Sequence, residues 1–135
     1  VTGVQTCALP ISRFERFVQR MYGDTPTRWS EDMKKNERRR FSINVFTRMR
    51  YCTRAGELEF EHSEPPADAP ERLLPWYAVP GRRPLATRLV FGHWSSHPAM
   101  SPPGLLPLDR GCVWGGSLAA HAMETGQTVS VDCCR

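Results

Sequence analysis

What this chain lacks already narrows what it can be. It has no apolar run approaching the roughly 20 residues that cross a bilayer, so a membrane helix is not expected. It has no basic stretch followed by an apolar segment at its start, and so nothing that reads as a secretory leader. It has no internal repeat. Five cysteines are present, at positions 7, 52, 112, 133 and 134, yet there is no CxxC pair, which argues against a structural zinc site. Their odd number and irregular spacing also argue against a disulfide framework. They read as reduced thiols of a cytoplasmic protein. Gly115 and Gly116 close a glycine-rich turn, but no GK[ST] follows, so it is not a phosphate-binding loop of that type.

What is present is ordinary globular material. The 135 residues carry 40% hydrophobic and 24% charged side chains, the length and composition of one soluble domain. Ten of the 12 prolines fall between residues 65 and 107, which predicts a loop-rich middle. The net charge of +4 is unevenly spread. Between Met33 and Arg54 stand eight bases and one acid, Glu37. So local a concentration points either to an anionic partner or to a solvated helix face.

The first eleven residues, VTGVQTCALPI, resemble the translation of a sequencing-adapter oligonucleotide. They are set apart from the fold, and the native sequence is expected to start at Ser12 or Arg13, part-way through a longer gene. The domain proper is then 12–135. Phe14, Phe17, Val18 and Met21 share one helical face over 12–22, with Ser12 and Glu15 at capping-box spacing. A second helix is expected over 37–50 from Phe41, Val45 and Met49 at i, i+4 and i+8. A hairpin should follow, 49–53 with 58–61 around Ala55–Gly56. Residues 62–84 read as a surface connection with one helical turn near 71–74. Arg88–Phe91 reads as a strand covered on both faces. Strands over 105–109, 117–124 and 127–132 complete the pattern, the last two joined at Thr125–Gly126. Helices first and strands later, with no βαβ alternation, mean an α+β fold.

Among chemistry-bearing residues His93 stands out, because it follows a strand and a glycine where sheet proteins place reactive groups, and imidazole is a common metal ligand. Arg48 and Arg50 sit where a guanidinium fork could hold phosphate oxygens or simply make surface ion pairs. Trp114 reads as packing the turn 109–116. His62, His97 and His121 lack ligand spacing and read as surface or packing residues.

Five blocks in order, MYGDTPTRW (21–29), RRRFSINVFTRMRYC (38–52), LPWYAVPG (74–81), VFGHW (90–94) and LDRGCVWGGSL (108–118), resemble the C-terminal half of bacterial symmetrical diadenosine tetraphosphatases. The resemblance implies a calcineurin-like metallophosphoesterase, a four-layer α/β/β/α sandwich of which the N-terminal half is missing here. It implies a pair of divalent ions, manganese or similar, cleaving diadenosine tetraphosphate to two ADP. Carried over residue by residue, it makes His93 a metal ligand, Arg48 and Arg50 substrate contacts, and Trp94 a residue that stacks on adenine or shields the site. The family's GDxHG, GDxxxRG, GNHD and HAG motifs do not occur here, so no catalytic residue is assigned. One histidine cannot hold two cations, and the chain by itself is expected to bind no metal pair, to be inactive, and to aggregate through exposed apolar faces. A dinucleoside polyphosphate is the implied partner; a membrane is not, and nucleic acid is the alternative partner for the 34–54 basic stretch.

Overall fold

The computed structural model describes residues 11–134, without the side chains of residues 11 and 12. The leader reading and Cys7 fall on residues 1–10, outside them, although Ile11 already opens the first helix. The chain divides into two compact units, 1–47 and 48–135.

In the first unit, α1 spans Ile11–Met21 and α2 spans Lys35–Thr47. Ser12 therefore stands inside α1 rather than ahead of it, and the proposed capping box does not begin the helix. The real N-terminal device belongs to α2, where a carboxylate oxygen of Glu37 accepts the Lys34 backbone N–H at 2.7 Å. That satisfies one of the donors a helix start leaves open. α2 stops at Thr47, three residues short of the expected end, and its one buried side chain is Asn44, at 2% exposure. A buried amide needs partners; Asn44 Nδ2 donates to the Gly23 carbonyl at 2.9 Å. Arg40 adds hydrogen bonds to the carbonyls of Arg20 (2.9 and 3.2 Å) and Thr25 (3.0 Å). Polar groups, not the apolar stripe alone, thus fasten α2 to the end of α1 and the turn after it.

The second unit contains three small sheets. β1 (Tyr51–Thr53) lies between β2 (Leu58–Glu59) and β3 (Leu73–Pro75), antiparallel to both. The predicted hairpin is therefore present, but the predicted helical turn at 71–74 is not: Leu73–Pro75 is a strand. Proline cannot continue a helix, and at the outer end of a short edge strand its missing N–H costs little. The helical turns of this stretch fall instead at Pro66–Asp68 and Trp76–Ala78. β4 (Leu89–Phe91) pairs in parallel with β5 (Leu105–Pro107). It is not covered on both faces, since Val90 is 46% exposed. β6 (Asp109–Arg110), β7 (Ser117–His121) and β8 (Thr128–Asp132) form the third, antiparallel sheet. The α+β class expected from the sequence is the class observed.

The core of this unit is aromatic. Tyr51, Leu73 and Trp94 are buried together, with Trp76, Tyr77 and Phe91 packed around them. Ring centroids lie 4.8 Å apart for Tyr51–Trp94 and 4.7 Å apart for Trp94–His97, both edge-on, the geometry aromatic quadrupoles favour.

The turn at 109–116 is packed differently from expectation. Trp114 is 73% exposed, and the constraint is the backbone: a Cβ on Gly116 would sit 2.1 Å from the Arg110 carbonyl oxygen. A side chain there would collide with main chain. The second lock corrects the reading of reduced thiols, because Cys112 and Cys133 form a disulfide across a separation of 21 residues. The spacing gave no sign of it; only the folding back of β7 and β8 brings the two together. Cys52 and Cys134 are free. Closing a loop of this length removes unfolded-chain entropy worth about 3 kcal/mol. Thermal unfolding followed by circular dichroism should shift to lower temperature with dithiothreitol or in a Cys112→Ala/Cys133→Ala variant. An unchanged midpoint would deny the bond a structural role.

Candidate functional site

His93 sits at the end of β4, in the left-handed region at φ 60°, the one described non-glycine residue with positive φ. Histidine is among the residues that tolerate this region. The consequence is directional. His93 is exposed while Trp94, the next residue, is 2% exposed and faces the core. Parallel pairing holds the strand behind it: the Leu89 N–H donates to Gly104 at 2.8 Å, and Leu108 N–H to Phe91 at 2.9 Å.

Arg48 and Arg50 converge on one residue, Phe60. The Arg48 guanidinium lies 4.6 Å from the Phe60 ring centroid, a cation–π contact. Arg50 Nη2 donates to the Phe60 carbonyl at 3.2 Å, and its Nε is buried without a hydrogen-bond partner. Such an unmatched donor is costly unless a ligand or water meets it. Trp94 lies in the aromatic core rather than at a surface on which a base could stack.

Several arginines of the basic stretch make contacts within their own unit. Arg38 donates through Nε to the Met33 carbonyl at 3.0 Å and through Nη2 to the Glu31 carbonyl. Arg40 is committed to α1 and its following turn, as above, and Arg48 and Arg50 to Phe60. Four of the eight bases of 34–54 are thus engaged within the protein, which weakens the reading of that stretch as a nucleic-acid interface.

His97 and His121 are two of the three histidines read as surface or packing residues. His97 is buried at 4% exposure, with Nδ1 at 2.8 Å from the Pro98 carbonyl and Nε2 at 2.9 Å from the Tyr77 hydroxyl. Burial lowers its pKa from the usual histidine value. A neutral ring that donates through Nδ1 must accept at Nε2, so the Tyr77 hydroxyl is the donor. Burial likewise pushes the Tyr51 hydroxyl up to about 12, with nearby Tyr77 adding to the rise, and the Cys52 thiol up to about 11. Neither is poised as a nucleophile. His121 meets Thr128 Oγ1 at 2.7 Å across the β7–β8 pair.

A groove of about 290 Å³ opens beside β4 and β5, with Tyr77, Arg82, Leu85, Leu89 and Pro103 among its walls. His93, Arg48 and Arg50 do not line it. Among the described residues, no three or more His, Cys, Asp or Glu side chains gather where they could hold a metal ion. Nor, among these residues, is any helix long and apolar enough to cross a membrane.

No family model matches the chain. Individual relatives do. A protein of Paracidovorax citrulli is 48% identical over 121 residues, covering 87% of this chain and 43% of that protein. One of Chromobacterium violaceum is 42% identical over 122 residues, and one of Thioalkalivibrio sulfidiphilus 45% over 116. They cover 90% and 82% of this chain and 44% and 43% of their own lengths. All three are nucleosyl-tetraphosphatases by name. Specifically, each is named a symmetrical bis(5'-nucleosyl)-tetraphosphatase, and the chain is similar to all three. The chain spans less than half the length of the relatives it matches.

Proposed function

We propose that this chain is the C-terminal part of a symmetrical bis(5'-nucleosyl)-tetraphosphatase, a cytoplasmic hydrolase that cleaves diadenosine tetraphosphate to two ADP. The observation that carries this reading is the 48% identity to a protein so named across 87% of the chain. In the longer protein the three small sheets join further strands in a four-layer sandwich. His93 then supplies one ligand to a pair of divalent ions whose other donors come from residues this chain lacks. Such a pair would polarise the phosphate and activate water. Arg48 and Arg50 bind the polyphosphate. Trp94 acts from beneath, holding the backbone that presents His93.

The chain alone does not hydrolyse the substrate. Purified with manganese and diadenosine tetraphosphate, it should give no more ADP than its His93→Ala variant. Turnover well above that control would overturn the reading of the chain as an incomplete site.

A further inference from the structure

We propose that the groove between α1 and α2 is a binding site for a compact polyphosphate anion, separate from His93 and independent of the function proposed above. The groove has a volume of about 300 Å³ and lies wholly within the first unit. Arg13, Arg16 and Arg20 line it from α1, and Lys35 and Arg39 from α2, with Phe17 and Asn36 completing the wall. The spacing explains the convergence: i, i+3 and i+7 on one helix and i, i+4 on the other each define a single face.

Among the described residues, five cationic side chains thus share one concavity, and no carboxylate lines it. The acid nearest in sequence on α2, Glu37, is engaged at the helix start with the Lys34 N–H. Like charges so gathered repel, and an anion carrying several charges offsets that repulsion. Two features favour a phosphate over a diffuse counter-ion cloud. The groove reaches the N-terminal turn of α2, whose open N–H groups and dipole attract anions. Its walls are also held in place: Arg40 and Asn44 tie α2 to the carbonyls of Arg20 and Gly23, and the Arg39 guanidinium lies 5.6 Å from the Phe17 ring centroid. The size fits a short run of phosphates rather than an extended strand.

Inorganic triphosphate titrated calorimetrically into the full chain is the test, with sulfate, a single-stranded oligonucleotide and anionic vesicles as comparators. Triphosphate should bind more tightly than any of them. An Arg20→Gln/Arg39→Gln variant should weaken it at least tenfold, whereas Arg54→Gln should leave it unchanged. Helical content is checked by circular dichroism. If the double variant loses it, Lys35→Gln alone should still weaken binding severalfold. The proposal is overturned if sulfate binds equally well, if the groove variants bind like the parent, or if the oligonucleotide or the vesicles bind more tightly than triphosphate.

Discussion

Fused behind the complementary N-terminal part of a relative such as that of Paracidovorax citrulli, this chain is expected to hydrolyse diadenosine tetraphosphate with manganese, and His93→Ala to reduce that rate by about 100-fold or more. Loss of a residue that merely supports a ligand already costs about 10–100-fold in metal affinity or activity. Loss of a ligand, the role proposed for His93, should cost no less. The position makes the experiment clean. His93 is exposed, so removing its ring opens no cavity. Surface changes of that kind usually stay within about 0.5 kcal/mol. His93→Gly sharpens the result, because glycine is at ease at the φ of 60° found there. It should be as inactive as the alanine variant and no less stable. A fused enzyme that kept its rate within a few-fold after either change would remove His93 from the reaction.

The second large effect is expected at the neighbouring residue and in the opposite quantity. Trp94→Ala should cost about 3–5 kcal/mol of stability, the range for deleting a large aromatic side chain from a core. At 2% exposure Trp94 is enclosed by rings: Tyr51 and His97 at 4.8 and 4.7 Å and Tyr77 at 6.4 Å between centroids. Small domains are stable by only about 5–15 kcal/mol, so much of the second unit's margin would go. Urea unfolding of the chain followed by far-ultraviolet circular dichroism measures it. Trp94→Phe should lose markedly less. If Trp94 were instead an open platform for adenine, the alanine variant would unfold at nearly the parent's urea concentration, and only substrate affinity would fall.

Adjacent residues with opposite roles show where sequence reading reached its limit. The period of Phe14, Phe17, Val18 and Met21 is enough to place α1, and the alternation of Leu58 and Phe60 enough to place the hairpin, because both depend on local spacing. Which of His93 and Trp94 points outward depends on one left-handed residue, and nothing in VFGHW states that. The same holds for Trp114, which reads as packing and is exposed. β3 was hidden by its proline and its length, since a three-residue edge strand has almost no period to detect. The Cys112–Cys133 bond depends on strand pairing and not on spacing. The basic stretch misled in another way. Counting charges treats arginines as free cations, whereas Arg38, Arg40 and Arg50 are committed to backbone carbonyls of turns whose shape the count does not contain. His93, Arg48 and Arg50 stand out from position and side-chain chemistry, and family resemblance adds only the roles expected of them; the groove between the helices became visible only once α1 and α2 were set side by side.

The β7–β8 pair has a further implication for handling the protein. β8 is exposed along its full length and ends its sheet, and Val131 stands opposite Leu118, both open to solvent. A greasy ribbon with an unpaired margin invites identical ribbons to zip alongside it. Concentrated solutions should therefore thicken by sideways stacking of intact molecules, and a single lysine at Val131 would be the simplest wedge against it.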